Sequence, residues 1–334
     1  MKQIAVWKNV DKTLFDKEIL PKNKPAILKG LVDNWASVVE AKKSDEAIIT
    51  YLNKYDNGEN VPVLVGPASI KGRFSYQDDL KRYNFVRRVE KLPTVLSGIL
   101  ELKSDPNPEA VSAQGLDIDK FLPGFAENND QTLIDKPEVA KAWIGNKTIT
   151  ATHYDHVENI ACVVAGRRRF TLFPPEQLPN LYVGPLFATP AGPPISMVDL
   201  KNPDYSKYPR FEKALAAGYQ ADLEPGDAIF IPYLWWHNVE SLSEFNVLVN
   251  FWWAQHTQDP KAITPYHCML FSMMSIPDLP EEHRKIWKEF FNHYVFQLEG
   301  RPADHLTAEI DDIIYGLSQD SKEKLKKMLL AGTI

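Results

Sequence analysis

The stretch Thr150-Ala151-Thr152-His153-Tyr154-Asp155 combines a run typical of a β-strand with two residues that commonly bind metals. In a strand, residues i and i+2 point to the same face, so His153 and Asp155 would present an imidazole and a carboxylate side by side. Such a pair supplies two ligands of a two-His, one-carboxylate facial triad, which leaves adjacent positions open on Fe(II). The stretch therefore predicts a β-fold with a metal site, and the third ligand must be a histidine from another strand.

The best candidate for the third ligand is His237. It follows the turn and apolar run Pro225-Gly226-Asp227-Ala228-Ile229-Phe230-Ile231-Pro232-Tyr233-Leu234-Trp235-Trp236. A histidine at the start of the next strand would lie at the mouth of a barrel. His156 is the nearest rival, but its odd spacing from His153 turns it to the other face of a regular strand. The other histidines follow the β-rich region or belong to the helical tail: His256, His267, His283, His293 and His305.

Each of these features also has an ordinary structural interpretation. A His-x-Asp pair often arises by chance, and a histidine beside tryptophans is also typical of a half-buried packing residue. The combination of the pair with its β-rich surroundings and the downstream Pro-Gly-Asp to Trp-His segment favours the metal site.

The region around the His-x-Asp pair, from residue 139 to 253, reads as a β-rich core. Short runs of β-branched and aromatic residues recur there, and glycine or proline turns separate several of them. Many short strands of this kind indicate a barrel or a sandwich. The predicted strands are 139–145, 148–154, 160–165, 168–173, 219–223, 227–231, 236–241 and 245–253. Between the fourth and fifth of them, prolines around 185–194 predict a long loop.

Helical segments flank this core on both sides. The predicted front elements are a strand, helix and strand over 3–30, a helix over 44–56 with Ser44 as its N-cap, a strand over 61–66, and a helix over 86–102 interrupted near Pro93. After Gln258, apolar residues at helical spacing predict helices over 260–274, 280–298 and 306–330. The expected order is an α/β front, a β core and an α-helical tail.

The composition is that of an ordinary globular protein. The chain has 334 residues, of which 44% are hydrophobic and 25% charged, and this argues against a disordered or fibrous protein. A net charge of −6 provides no electrostatic case for a nucleic-acid or anionic-membrane partner. Cys162 and Cys268 cannot form a disulfide framework, and no run approaches the roughly 18 apolar residues of a spanning helix. We therefore expect a cytoplasmic protein.

Taken together, the motifs resemble the JmjC-type, cupin-like Fe(II)/2-oxoglutarate oxygenases, and within them the branch of the asparaginyl hydroxylase that modifies hypoxia-inducible factor. Besides the segments above, the resemblance rests on Pro25–Gly30, Trp35, Asn159, Gly166–Phe170, Leu172–Gln177, Asn202–Tyr205 and Val249–Trp253. It implies a mainly β protein with flanking α: a double-stranded β-helix (jelly roll) over 1–258, with iron at one end. It also implies that a C-terminal helical region over 259–334 forms a homodimer.

The resemblance further implies a site for 2-oxoglutarate as cosubstrate. In the resembled enzymes a lysine fifteen residues after the first histidine ligand holds the distal carboxylate, and here that position is Arg168. Arginine can bind a carboxylate bidentately, although it is longer than lysine and its fork geometry differs. Thr150 matches the family's hydroxyl donor, and Asn159 and Asn250 match polar positions near the iron-bound end.

A second departure from the family concerns a tyrosine that usually contacts the same carboxylate from an earlier strand. The matching segment here, Ala110-Val111-Ser112-Ala113-Gln114, has no tyrosine. Together with Arg168, this departure motivates an alternative, a cupin-type metal enzyme that does not use 2-oxoglutarate. A further alternative is a non-catalytic peptide-binding barrel, against which the complete set of three metal ligands argues.

The leading interpretation remains the one that the resemblance implies: an Fe(II)- and 2-oxoglutarate-dependent dioxygenase that hydroxylates a C–H bond, with succinate and CO₂ as coproducts. It needs no catalytic residue beyond His153, Asp155 and His237. The expected substrate is a peptide or protein side chain, and a small molecule is the alternative. No nucleic-acid partner is favoured and no membrane partner is expected.

Overall fold

The computed structural model describes residues 1–135, 137, 139–187, 189–190, 192–255, 263–302, 304–306 and 326–328. Contacts divide the chain into two compact units, Met1–Thr257 and Gln258–Ile334. The first unit holds the strands: β1 Lys2–Gln3, β2 Ala5–Lys8, β3 Ala26–Lys29, β4 Asn60–Gly66, β5 Arg73–Phe74, β6 Val86–Lys91, β7 Ala110–Asp117, β8 Val139–Gly145, β9 Ile149–His153, β10 Glu158–Ala165, β11 Arg168–Phe173, β12 Tyr219–Leu223, β13 Ala228–Ile231, β14 Trp236–Ser241 and β15 Asn246–Trp253.

The helices named in both units are short, from 3 to 11 residues. They are α1 Lys12–Leu14, α2 Ala36–Ala41, α3 Asp45–Asn53, α4 Leu92–Glu101, α5 Ile118–Phe121 and α6 Phe211–Ala217, followed by α7 Pro265–Met273 and α8 Glu281–Phe291. Short 3₁₀-helices lie at Leu20–Lys22, Ala68–Ile70, Leu102–Ser104, Phe125–Asn128, Pro175–Asn180 and Ile276–Asp278, and π-helical turns at Phe15–Ile19 and Asn292–Phe296. Within the described ranges, no helix is both long and apolar enough to cross a membrane.

Two sheets form the first unit. The six-stranded sheet has the order β1-β12-β11-β14-β9-β5, and the nine-stranded sheet has the order β2-β3-β13-β10-β15-β8-β7-β4-β6. Neighbours along the chain often lie in different sheets, which is how a jelly roll closes its edges. The prediction of a mainly β protein with flanking helices is confirmed, and each strand predicted between 139 and 253 is present.

β10 is an interior strand of the nine-stranded sheet, and its burial accounts for the apolar run in this part of the sequence. All eight of its residues are buried. Ala161 and Val163 pack into the smaller core cluster, while Ile160, Cys162 and Val164 pack into the larger one. Successive side chains of a strand point to opposite faces, so a strand covered on both faces reads as a continuous apolar run.

The prediction of a helix over 86–102 is wrong in its first half. Val86–Lys91 is the strand β6, paired with β4, and the helix α4 begins only at Leu92. Pro93 lies in the first turn of α4, where a missing N–H breaks no helical hydrogen bond. The proline therefore marks the start of the helix and does not interrupt it.

Gly226, in the turn before β13, is a position where glycine is required. Its φ is +102°, and an added Cβ would lie 1.8 Å from Asp33 Oδ1. We expect Gly226→Ala to lower the free energy of unfolding by about 2 kcal/mol or more. The cost of a positive φ in alanine adds to the cost of the steric clash between the new Cβ and Asp33. Chemical denaturation measures the loss. Gly58→Ala is the control, because Gly58 has φ +75° but no atom within 4 Å of an added Cβ. Equal losses in the two variants would contradict a steric role for Asp33.

The described part of the second unit includes the helices α7 and α8, which are joined by a 3₁₀ turn. Thr264 caps α7, and its side chain accepts a hydrogen bond from the backbone N–H of His267. The helices predicted over 260–274 and 280–298 correspond to α7 and to α8 with its following π-helical turn. Most of the helix predicted over 306–330 lies outside the described residues.

Candidate metal centre

The two histidines lie opposite each other on paired strands. β9 and β14 are antiparallel neighbours, and the Cα of His153 faces that of His237. Their ring centroids lie 4.2 Å apart, and Asp155 Oδ2 lies 3.5 Å from His237 Nε2. One ligand atom from each of the three residues lies within 4.8 Å of the other two, which is close enough to share one metal ion. His156 is exposed and is not part of this group, and His256 lies outside the described residues.

Both imidazoles are held by backbone carbonyls. His153 Nδ1 lies 2.8 Å from the carbonyl oxygen of Ala151, and His237 Nδ1 lies 3.0 Å from that of Trp235. A carbonyl oxygen can only accept, so in each ring Nδ1 carries the proton. The lone pair is therefore on Nε2, and hydrogen bonds of this type orient metal-binding histidines in other proteins.

Burial keeps His237 in the neutral form. Its pKa is lowered to about 4, first because the ring is desolvated and second because His153 lies beside it, while Asp155 acts in the opposite direction. At neutral pH the ring therefore keeps the lone pair that a metal requires.

The turn before β14 connects the ligand segments. The N–H of Leu234 donates to the carbonyl oxygen of Asp155 at 3.1 Å. Leu234 has φ +59°, a left-handed conformation that costs a non-glycine residue on the order of 1 kcal/mol. Surrounding contacts must therefore hold this turn in its position next to the site.

A buried carboxylate, Glu158, supplies such contacts. Its Oε2 accepts a hydrogen bond from the N–H of Tyr233 at 2.9 Å, and its Oε1 accepts one from Gln255 Nε2 at 2.6 Å. Burial raises the pKa of Glu158. Its role is not predictable from the sequence, because a single glutamate at the start of a strand carries no motif.

We expect Glu158→Gln to change how stability depends on pH. Because the folded-state pKa of Glu158 is raised, its contribution to stability is present below its ordinary pKa of 4.5 and is lost as the pH rises through the folded-state value. The wild type should therefore lose stability relative to the variant as the pH rises from about 4 towards neutrality. Urea denaturation of both proteins with chelator measures this difference. A constant offset across the pH range would contradict the prediction.

A cavity of about 40 Å³ adjoins the three ligands, and both sheets contribute to its wall. All four residues predicted to bind the cosubstrate line it: Thr150, Asn159, Arg168 and Asn250. Asn250 Nδ2 donates to Asn159 Oδ1 at 2.7 Å, which fixes the orientation of both amides. The segment that lacks the family's tyrosine forms part of β7, and Ser112 and Gln114 from this strand also line the cavity.

Arg168 is a buried cation without an acidic partner in the part of the chain that the structure describes. Its Nη2 donates to the carbonyl oxygen of Trp143 at 3.2 Å, while its Nε has no hydrogen-bond partner among the described residues. Desolvation lowers its pKa to about 9, so the guanidinium remains charged at neutral pH. The next residue, Arg169, points outward and pairs with Asp222 at 2.7 Å. A buried charge is costly unless it is paired, so Arg168 indicates an anionic ligand.

Three more buried polar atoms of the cavity wall lack partners among the described residues: Trp143 Nε1, Trp252 Nε1 and Asn250 Oδ1. Buried polar groups in folded proteins are nearly always hydrogen-bonded. An indole N–H can only donate, so the two tryptophans and Arg168 together offer donors that suit carboxylate oxygens. Neither indole is predictable as part of the site from the sequence, because a tryptophan in an apolar strand is typical of the hydrophobic core.

Comparison with known proteins identifies the family of this chain. Residues 12–259, most of the chain, match the cupin-like domain family. The chain therefore belongs to the cupin-like domain family, and its relatives include JmjC proteins.

Three relatives illustrate the range of similarity. Lysine-specific demethylase JMJ31 of Arabidopsis thaliana is 44% identical over 107 residues, which are 32% of this chain and 19% of that protein. JmjC domain-containing protein D of Dictyostelium discoideum is 28% identical over 249 residues, 69% of this chain and 52% of that protein. tRNA wybutosine-synthesizing protein 5 of Gallus gallus is 26% identical over 322 residues, 85% of this chain and 92% of that protein.

The chain thus spans about a fifth of the first of these relatives and about half of the second. None of the three names is that of an asparaginyl hydroxylase. The comparisons support the JmjC-type, cupin-like family and do not single out the branch that the sequence resemblance indicated.

Proposed function

We propose that this protein is an Fe(II)- and 2-oxoglutarate-dependent oxygenase. The observation that carries the proposal is the juxtaposition, in one cavity, of the His153–Asp155–His237 group and the unpaired buried cation Arg168. Two neutral imidazoles and one carboxylate form the donor set of non-haem Fe(II) oxygenases, and a cation beside it suits a dicarboxylate cosubstrate.

The residues present fit both groups. His153, Asp155 and His237 would hold the metal, with both Nε2 atoms available because the Nδ1 atoms are bonded to carbonyls. When bound, Fe(II) with 2-oxoglutarate supplies oxidation of a C–H bond with O₂, and succinate and CO₂ are the coproducts. The protein's own contribution is to orient the reactants and to exclude water from the cavity.

Arg168 would bind the distal carboxylate of 2-oxoglutarate, and the Thr150 hydroxyl would donate a hydrogen bond to it. In place of the family's tyrosine, the unpaired indole N–H of Trp143 would donate a hydrogen bond to the same carboxylate. The backbone carbonyl oxygen of Trp143 already accepts a hydrogen bond from Arg168. Asn159 and Asn250 would contact the iron-bound end. These assignments extend the family resemblance to a site in which arginine replaces lysine and a tryptophan is the additional donor.

The proposed reaction is hydroxylation of a peptide or protein side chain, as in the asparaginyl hydroxylase branch. The demethylase name of the Arabidopsis relative is compatible with a protein substrate. The similarity to tRNA wybutosine-synthesizing protein 5 over most of both chains favours RNA as the second candidate substrate. A metal enzyme that does not use 2-oxoglutarate is the alternative if Arg168 binds another anion.

Anaerobic titration of the Fe(II)-loaded protein with 2-oxoglutarate tests the proposal. The expected result is a saturable visible charge-transfer band from the chelate. Bound iron without such a band, together with no succinate formed in air, would replace the proposal by the alternative metal enzyme. Absence of bound iron would contradict both.

We also propose a homodimer formed through the C-terminal helices. α8 supports this, because its rings Trp287 and Phe290 are 44% and 49% exposed although a water-facing helix normally carries polar residues there. We expect the double variant Trp287→Glu/Phe290→Glu to be monomeric in light scattering, and Lys288→Glu on the same helix to behave as the wild type. A wild-type monomer at micromolar concentration would contradict the proposal.

A further inference from the structure

A second and larger cavity adjoins the wall of the metal cavity. It has a volume of about 740 Å³ and shares Gln114 and Trp143 with the smaller one. We call it the outer groove. It extends from these two residues to Arg87 and Arg88 on β6, and its described lining on one side includes Thr189, Pro190 and Gly192. Any ligand that lies in the outer groove is therefore adjacent to the metal cavity.

The outer groove is cationic. Its described lining includes Arg87 and Arg88 and no acidic residue. Neither arginine forms an ion pair within the described ranges, whereas Arg82, just before β6, pairs with Asp79 at 3.0 Å. Arg87 is held in place, since its Nη2 donates to the carbonyl oxygen of Pro190 at 3.4 Å and its guanidinium lies 5.5 Å from the centre of the Tyr83 ring. Its charge remains available to an anion.

The strand order gives the approximate spacing between β6 and Trp143, which lines both cavities. Trp143 belongs to β8 and the arginines belong to β6, and β7 and β4 lie between these two strands. At about 4.8 Å per strand, the three steps span about 14 Å. An extended polypeptide covers that distance with about four residues.

A peptide fits this groove better than a nucleic acid does. Nucleic-acid binding rests on neutralising many phosphates, on the order of six to ten in a typical interface. The outer groove has Arg87 on its own face of β6, while Arg88, the next residue of the strand, points to the opposite face, and the net charge of the chain is −6. Its volume of about 740 Å³ lies in the range of sites that enclose a ligand the size of a few residues.

We propose that the outer groove binds an acidic stretch of an extended substrate polypeptide. A carboxylate binds at Arg87, about four residues from the side chain that enters the metal cavity. The proposal rests on the oxygenase function proposed above and adds a substrate class to it.

Peptide binding to the full-length protein tests this proposal. The probes are three pools of fluorescein-labelled dodecapeptides, randomised except for two adjacent positions fixed as Glu, Gln or Lys. Fluorescence anisotropy is recorded without oxygen, with Fe(II) and 2-oxoglutarate present. We expect the Glu pool to bind at least about tenfold more tightly than the Gln pool, and its affinity to fall as salt is added.

Variants of arginines inside and outside the outer groove show which residues cause the preference for the Glu pool. Arg87→Gln/Arg88→Gln should reduce the affinity of the Glu pool to that of the Gln pool. Arg82→Gln should leave it unchanged, because that arginine is already paired and lies outside the groove. After oxygen is admitted, peptides that gain an oxygen atom should carry it about four positions from the Glu pair.

Three results would overturn the proposal: equal affinity of the Glu and Gln pools for the wild type, unchanged affinity in Arg87→Gln/Arg88→Gln, or tighter binding of a single-stranded RNA dodecamer that this variant loses. The last result would assign the groove to RNA. The chelate band with 2-oxoglutarate distinguishes failure of the proposed oxygenase function from failure of the proposed acidic-peptide site. A missing band with the Glu preference intact would remove the oxygenase function, whereas an intact band without the preference would remove the acidic-peptide site.

Discussion

Replacing His153 by alanine is expected to abolish stoichiometric metal binding. The change removes one of three ligand atoms that lie within 4.8 Å of one another and leaves only His237 and Asp155. Loss of a group that merely orients a ligand typically costs about 10–100-fold in metal affinity, so loss of the ligand itself should cost more than about 100-fold. The measurement is the iron content after anaerobic reconstitution, by mass spectrometry, together with succinate production in air.

The control for this variant is His283→Ala, which alters an exposed histidine of α8 in the other unit and should keep full iron content. Asp155→Asn keeps the shape of the third ligand and removes its charge, so it should also lose iron although it is nearly isosteric. Circular dichroism establishes that each variant is folded. Unchanged iron stoichiometry in His153→Ala would show that the three residues are not the metal site.

Replacing Arg168 by methionine should weaken binding of 2-oxoglutarate while iron remains bound. Methionine is long and apolar, so the variant removes the charge and much less of the packing. Truncating one partner of a buried, hydrogen-bonded charge pair costs about 2–5 kcal/mol, which corresponds to roughly 30-fold to more than 1,000-fold in affinity. The anaerobic chelate band, titrated with 2-oxoglutarate, measures the dissociation constant.

The same variant should differ from the wild type in a second way. Without cosubstrate, Arg168 is an unpaired buried cation, so its replacement should leave the free energy of unfolding unchanged or raise it. Arg169→Met is the matched control. It removes a neighbouring arginine that pairs with Asp222 outside the cavity, and it should leave the affinity for 2-oxoglutarate unchanged. Equal affinities in Arg168→Met and the wild type would mean that Arg168 binds no cosubstrate.

Much of the β core was predictable because its signals are local. Runs of β-branched and aromatic residues bounded by glycine and proline correspond to strands β8 to β15. Ser44 caps α3 as predicted, and its side chain accepts from the N–H of Ala47 at 3.1 Å. The Val86–Lys91 strand was missed because its residues are all exposed, so neither face carries an apolar alternation, and only pairing with β4 defines it.

The candidate site likewise has residues that local sequence predicts and residues that it does not. The i, i+2 spacing predicted that His153 and Asp155 lie together, and they do, although β9 ends at His153 and Asp155 follows it outside the strand. The order of motifs selected His237. Glu158 and the two indoles were not predictable, since a glutamate or a tryptophan in a strand has the same local sequence whether or not its polar atom is paired. Their importance follows from burial and missing partners, which arise only when distant strands enclose the cavity.

By itself, the sequence determined the class of fold, the positions of most strands and the set of residues able to bind a metal. It could do so because strand propensity, turn formation and side-chain alternation depend on residues close together in the chain. Only the tertiary structure decided that His237 faces His153, that Arg168 is buried without a counter-ion, and that Arg87 and Arg88 share a groove with Trp143. Those features depend on which strands pair and on the burial that pairing creates, and both are set by contacts between residues far apart in the chain.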